Sequence, residues 1–323
     1  FYSNHNQFAT YRISVFYMQI SSCTFKKQEL YKFNYCDTGM KTQKGISGII
    51  VVHNEDGIIE EALVSLKGAV DEIIVIHDGP CSDNTVKIAK KYTKKVYITK
   101  HKGRSAFNFI TALGKTKYDW IFKLDADESL SEDLRKNVKK LIQEKNIDAF
   151  SFIHPLWNGK RAFTKTWPRK SVLVRKSKIS YLAFPGFDAN ISTTGNEKRT
   201  NYVIYHKPVK NQDVGWKGFK EKVINRYAPS QARFLLKDFK EFETYQYPGK
   251  DFPLRIRIRR HFPIFTNFAF SILAFFKQMF FEGAWREGLA GFNVAAKTLV
   301  YNIYLGFLIQ EEKWKQKREA SSK

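Results

Sequence analysis

The stretch Trp120-Ile121-Phe122-Lys123-Leu124-Asp125-Ala126-Asp127-Glu128 decides how this chain is read. Its first five residues are an apolar run broken by one lysine, which predicts a short strand. Its last four carry three carboxylates. Directly after a strand, an Asp-x-Asp sets two hard oxygen ligands, Asp125 and Asp127, near one point. That donor type suits Mg²⁺ or Mn²⁺, and such an ion can also hold a diphosphate and neutralise charge on it as it leaves. A bare Asp-x-Asp is common, so its weight depends on what surrounds it.

Working outward towards the amino terminus, strand and helix alternate. Gly48–His53 and Glu72–His77 are apolar runs rich in β-branched residues, and Val96–Thr99 is a third. Between them, Ile58–Lys67, Thr85–Tyr92 and Ser105–Lys115 have helical apolar spacing, and Asp83 is placed to cap the second of these. Trp120–Leu124 is then the fourth strand of a mostly parallel α/β sheet covered on both faces. Ligands bind such sheets beyond the carboxyl ends of the strands. There stand His53-Asn54-Glu55, then His77-Asp78, then Asp125, Asp127 and Glu128. Gathered carboxylates repel one another unless a cation or a donor-rich ligand sits between them.

With these blocks in hand, residues 45–130 resemble the front half of a glycosyltransferase family 2 enzyme with the GT-A fold. The resemblance rests on Val52-His53-Asn54-Glu55, Asp71 through Ile76, Asp78 through Thr85 as D-x-x-x-x-D-x-T, and Leu124 through Glu128. It implies a nucleotide-diphosphate sugar donor, with Asn54, Glu55 and Asp78 around base and ribose and Asp83 shaping the adjoining loop. Asp125 and Asp127 would reach the ribose and the metal. Two departures stand out. Pro80 stiffens the loop after Asp78 and removes a donor N–H. Where the family often has Arg just before Asn108, this chain has Phe107, with Arg104 three residues earlier; Arg104 is either a substitute phosphate contact or a solvated surface residue.

Inverting transfer also needs a general base near the acceptor hydroxyl. Related lipopolysaccharide-core-type members carry a His-Glu pair after the strand corresponding to Val172–Arg175. Here Phe187-Asp188 takes that place, which makes Asp188 the candidate base, with Glu197 as fallback and His206 read as structural. Arg169 and Arg175 are candidates to meet an anionic acceptor or diphosphate.

From Lys217 the pattern turns helical, with Asn225-Arg226-Tyr227-Ala228 and Gly283–Leu308 again resembling enzymes that act on cell-envelope glycans. Arg255, Arg257, Arg259, Arg260 and His261 lead directly into Phe262–Phe276, fifteen uncharged residues with six Phe. That run is short of the roughly 20 residues a spanning helix needs, and Lys277 closes it. A basic cluster beside amphipathic aromatic helices predicts attachment at the cytoplasmic face of an anionic membrane. The expected division is 1–39 as a non-native or disordered extension ahead of a natural start at Met40, 40–215 as the catalytic domain, and 216–323 as a membrane-surface helical region.

The whole chain has 55 Lys+Arg against 31 Asp+Glu, a net +24, so some anionic partner is expected. Three cysteines without a close pair (Cys23, Cys36, Cys81) exclude a disulfide framework and a zinc ribbon. The charge also admits a nucleic-acid-binding protein or a metal-dependent nuclease. Against that, the basic residues are scattered while the expected cleft is acidic, so no nucleic acid is expected as partner. A dinucleotide-dependent oxidoreductase lacks a G-x-G-x-x-G after the first strand. The reading is therefore metal-dependent transfer from a nucleotide-diphosphate sugar to a glycan or lipid-linked acceptor at a membrane.

Overall fold

A computed structural model describes residues 42–103, 105–156, 162–163, 169–182, 191–207, 215–242, 244–247, 252 and 254–322. Residues 1–41, Arg104 and Asp188 therefore lie outside the described residues. The chain opens with β1 (Gln43–Val52), α1 (Ile59–Leu66), β2 (Glu72–Asp78), α2 (Thr85–Ala89), β3 (Val96–Thr99), α3 (Ser105–Leu113) and β4 (Tyr118–Leu124). β1 pairs in parallel with β2 and β4, and β2 with β3. The side-chain period of two then splits the apolar residues between two cores. Ile46, Ile50, Trp120 and Phe122 face α1 and α4 (Glu132–Leu141), whereas Ile49, Ile74, Ile76 and Ile121 face α3. Burial on both sides is why these strands read as continuous apolar runs.

Beyond β4 come β5 (Glu128–Leu130), β6 (Ala149–Ile153), β7 (Arg169–Arg175) and β10 (Glu197–His206), completing an eight-stranded sheet in the order β3-β2-β1-β4-β7-β6-β10-β5. β7 runs antiparallel to β4 and β6, β10 is parallel to β6, and β5 pairs antiparallel with β10. The expected mostly parallel α/β sheet is present, with the reversal confined to β7 and β5. At α2 the end and the cap both differ from the sequence reading. α2 stops at Ala89 rather than Tyr92, because Thr93 Oγ1 donates to the Ile73 carbonyl (2.7 Å) and turns the chain into β3. Asn84, not Asp83, is the residue before the helix, although the Asp83 carboxylate accepts from the Thr85 N–H (2.8 Å). α4 is capped by Ser131, whose hydroxyl accepts from Leu134 N (3.3 Å), with Glu132 and Asp133 in the first turn and Lys139 and Lys140 in the last, matching the helix dipole.

A small sheet of β8 (Ile179–Leu182), β9 (Ser192–Thr193) and β11 (Thr244–Tyr245) leads to the helices. α5 (Trp216–Gly218) continues through a π-helical stretch, Phe219–Tyr227, into α6 (Ala228–Leu235), followed by α7 (Leu254–His261), α8 (Pro263–Phe276) and α9 (Leu289–Ser321). α6 and α9 share a core with Leu182, Phe219, Phe252, Tyr301 and Leu305. Lys277 does not end the apolar helix as expected. The helical path runs on to Phe281, because the half-buried Lys277 turns its ammonium to Glu282 (3.1 Å). Pro263–Phe281 and Leu289–Ser321 are thus long and apolar enough to cross a membrane, by length and composition only.

Candidate active site

The carboxyl ends of β1, β2 and β4 bring His53-Asn54-Glu55, Asp78 and Asp125 to one edge, as the pattern predicts. Asn54 adopts a left-handed φ of 51°, a conformation Asn tolerates better than most residues. Its N–H donates to His77 Nε2 (3.2 Å) and its Oδ1 accepts from Ser82 N (2.9 Å), tying the first loop to the second. Glu55 N donates to Thr85 Oγ1 (2.7 Å). Asp83 works on the loop backbone. Burial opposes its charge, yet bonds from Thr85 and from the Asp56 N–H (3.1 Å) bring its carboxyl down to about 2.

Asp78 is buried at the end of β2. One oxygen accepts from Asn108 Nδ2 (2.8 Å) and Lys102 N (2.7 Å), and the other lies 3.3 Å from His101 Nδ1. The His53 ring stands 4.9 Å from that of His101 and 5.7 Å from that of His77, so the His53 and His101 imidazoles gather at Asp78 while His77 serves the neighbouring loop. Gly79 makes the approach possible. Its φ is +89°, and a Cβ there would meet the His101 Cβ at 2.8 Å.

The second half of the site is a buried charge network. Lys123 Nζ lies 3.4 Å from Asp125 Oδ1, while Lys170 of β7 donates to both Asp125 Oδ2 and Glu128 Oε1. Glu128 also accepts from His154 Nε2 (2.7 Å), and its other oxygen accepts the Asp125 N–H (3.0 Å). Burial pushes the Asp125 carboxyl up, but the Lys123 and Lys170 ammoniums outweigh it and hold it below the usual range. Glu128 behaves alike: burial is overcome by Lys170 and His154, and its carboxyl sits well below the ordinary value. Burial depresses the His154 imidazole, which the Glu128 carboxylate beside it only partly offsets; facing that carboxylate oxygen, Nε2 is the donor of the bond. Both Asp125 oxygens thus already face ammoniums.

Asp127 sits differently. Its Oδ2 lies 3.2 Å from His206 Nε2, and the two side chains keep 25% and 18% of their surface open. The His206 ring stacks on His154 at 5.0 Å. A carboxylate oxygen and an imidazole nitrogen, side by side and partly open, form a donor pair that fits a divalent cation such as Mn²⁺. Among the described residues, the three-residue groups with metal-ligand spacing lie elsewhere, as His53–Asp78–His101 and His77–Cys81–Asp83. Their atoms are already used within the loops. His53 Nδ1 and His101 Nδ1 meet the Asp78 carbonyl, His77 is bonded at both ring nitrogens, and Cys81 Sγ donates to Asp83.

Other candidates separate. Glu197 opens β10 opposite Ala149, at the far edge of the sheet from His206, and is not brought to the site. Arg175 is likewise at that edge, bonded to Asp119 (3.3 Å) and Asp148 (3.2 Å) over the Trp120 ring. Arg169 is at the near edge, but its guanidinium donates to the Thr200 carbonyl. Sequence reasoning passed over Lys123, Lys170 and His154 and took His206 for structural. The available signal was that both histidines close strands, His154 just past β6 and His206 at the end of β10, where it pairs with Glu128.

Comparison with known proteins gives one family match, Glycosyl transferase family 2, over residues 47–207. A Rickettsia typhi protein named as an uncharacterized glycosyltransferase is 25% identical over 301 residues, 84% of this chain and 97% of that protein. Among solved structures, Mycobacterium tuberculosis glucosyl-3-phosphoglycerate synthase, determined with Mn²⁺ and UDP-glucose, is 21% identical over 34% of this chain and 44% of that one, with a TM-score of 0.30. S. aureus TarS 1-349 is 16% identical over 85% of this chain and 92% of that one, with a TM-score of 0.39.

Proposed function

This chain is a glycosyltransferase of family 2 through its residues 47–207, and we propose that it moves a sugar from a nucleotide-diphosphate donor to a membrane-associated glycan or lipid acceptor with inversion. The carrying observation is the Asp127–His206 pair, 3.2 Å apart at the carboxyl edge of the sheet. In this reading Asp127 and His206 hold Mg²⁺ or Mn²⁺, which when bound neutralises charge on the departing diphosphate. Asp125, fixed by Lys123 and Lys170, faces the ribose. Asn54, Glu55 and Asp78 take the nucleoside, Asp83 keeps their loops in register, and Arg104 contacts phosphate. The acceptor oxygen attacks the anomeric carbon, the sugar–phosphate bond breaks towards the diphosphate, and the acceptor proton passes to Asp188.

Residues 40–215 act as the catalytic domain and 216–323 as the part that meets the inner, cytoplasmic face of an anionic membrane, in cell-envelope biogenesis. A polyanion reading is not favoured, since the charge at the sheet edge is carboxylate and its lysines are already paired with it. The test is nucleoside-diphosphate release from uridine, guanosine and adenosine diphosphate sugars with a membrane lipid extract. Release is expected with Mn²⁺ or Mg²⁺ and not with chelator. Equal release in chelator, or none from any donor alongside salt-sensitive binding of DNA or RNA, would overturn the reading.

A further inference from the structure

Helix α8 is built inside out. The face it turns to α9 holds Thr266, Asn267, Ser271 and, just past its end, Gln278, all buried. Its outer face holds Phe265 (76% exposed), Phe268 (52%), Leu273 (66%) and Phe276 (51%). A helix on a water-facing body has the opposite polarity. The inner polar groups are satisfied within the helices: Arg259 Nε donates to Asn267 Oδ1 (2.8 Å), Arg259 Nη2 to Asn302 Oδ1 (3.1 Å), and Thr298 Oγ1 to Gln278 Oε1 (3.0 Å). Glycine sets the spacing, since a Cβ on Gly306 would lie 2.9 Å from the Pro263 carbonyl oxygen. Small and hydrogen-bonded polar residues between helices, with large apolar residues outside, is the packing used where the surrounding medium is hydrocarbon.

Charge says which medium. No charged residue interrupts 262–276, while Arg257, Arg260 and His261 stand immediately before it. Lys313 of α9 donates to the Arg260 carbonyl (2.9 Å), which brings the exposed Lys317 and Arg318 towards the same end, while Lys315 is paired with Glu311 (2.8 Å). An apolar face with a cationic end complements anionic headgroups over acyl chains. Immersion is one-sided, because α9 is committed to the protein core through Tyr301, Leu305 and Ile309. α9, against which α8 packs, is in turn joined to the site: Leu156, two residues past His154, packs with its Val294 and Ala290.

We infer that the outer face of α8 lies in the plane of an anionic bilayer, sunk to the acyl boundary, and that this apolar contact rather than the basic surface holds the protein there. The inference rests on the reading that the acceptor is at a membrane. The full chain is floated with phosphatidylcholine vesicles with and without phosphatidylglycerol, at low and molar salt. Binding to the anionic vesicles should survive high salt. Phe265→Ser with Phe268→Ser should weaken it by about tenfold or more, leaving vesicle-free donor cleavage unchanged. In a Phe268→Trp variant, acyl-brominated lipid should quench the added fluorescence. Release by salt with wild-type binding in the serine variant would overturn the inference in favour of charge alone. A dimer lost in the serine variant, without vesicle binding, would overturn it in favour of a second copy on this face. Salt-resistant flotation without donor cleavage would support it while sinking the catalytic reading.

Discussion

Lys170 is the residue on which the site's stability turns. It is 1% exposed and its ammonium is shared by Asp125 and Glu128. Removing Glu128 leaves two buried ammoniums, Lys123 and Lys170, to share the single Asp125 carboxylate, so Glu128→Ala should destabilise the fold by about 3–5 kcal/mol in urea titration, as breaking a buried ion pair does. The pH dependence has a definite sign. The Glu128 and Asp125 carboxyls are lowered in the folded state, so their contribution is complete above the ordinary values of 4.5 and 3.8 and is lost as pH falls through the folded values. His154 is depressed, so below about 6.5 the unfolded chain takes that proton first and stability starts to fall there. All three act in one direction. Glu128→Gln should flatten the part of the acid limb below about 4.5, measured as urea midpoint against pH; an unaltered limb would contradict the network. The sequence showed the carboxylates because they follow a strand in a compact motif. It did not show Lys170, which lies 45 residues beyond Asp125 and meets it only through the pairing of β7 with β4.

At the scale of elements, the α8–α9 turn is the tightest joint among the described residues. A Cβ on Gly291 would fall 1.8 Å from the Ala284 carbonyl oxygen, which is backbone and cannot swing aside. Gly291→Ala should therefore push α9 off the Ala284–Glu287 turn and cost about 1–3 kcal/mol, as overpacking does. Protease cleavage within residues 282–288 should rise while nucleotide binding is kept; unchanged cleavage would show that the turn absorbs the methyl. Elements β1 to β4 were legible because burial on both faces writes itself as an apolar run. The direction of β7 was not, since strand order is set by long-range pairing. The π-helical continuation of α8 to Phe281 was not legible because a lysine in sequence looks like solvent, whereas Lys277 is half-buried and bonded to Glu282.

Over the whole molecule, the excess of positive charge and the acidic sheet edge are compatible because they serve different surfaces. In the proposed reading, nucleotide and metal would meet at the carboxyl ends of β1, β2, β4 and β10, and the cationic end of the α8–α9 pair would be left for a membrane. The central claim is that Asp127 and His206 carry the cation through which the donor's diphosphate is bound. It is tested most directly by calorimetric titration of uridine and guanosine diphosphate sugars into the full chain with Mn²⁺ or chelator, for the wild type and Asp127→Ala. The expected result is binding that requires Mn²⁺ and weakens about tenfold or more in Asp127→Ala at unchanged thermal stability, a loss of the size of one charge-assisted contact. Donor binding of equal strength in chelator, or in Asp127→Ala, would contradict it.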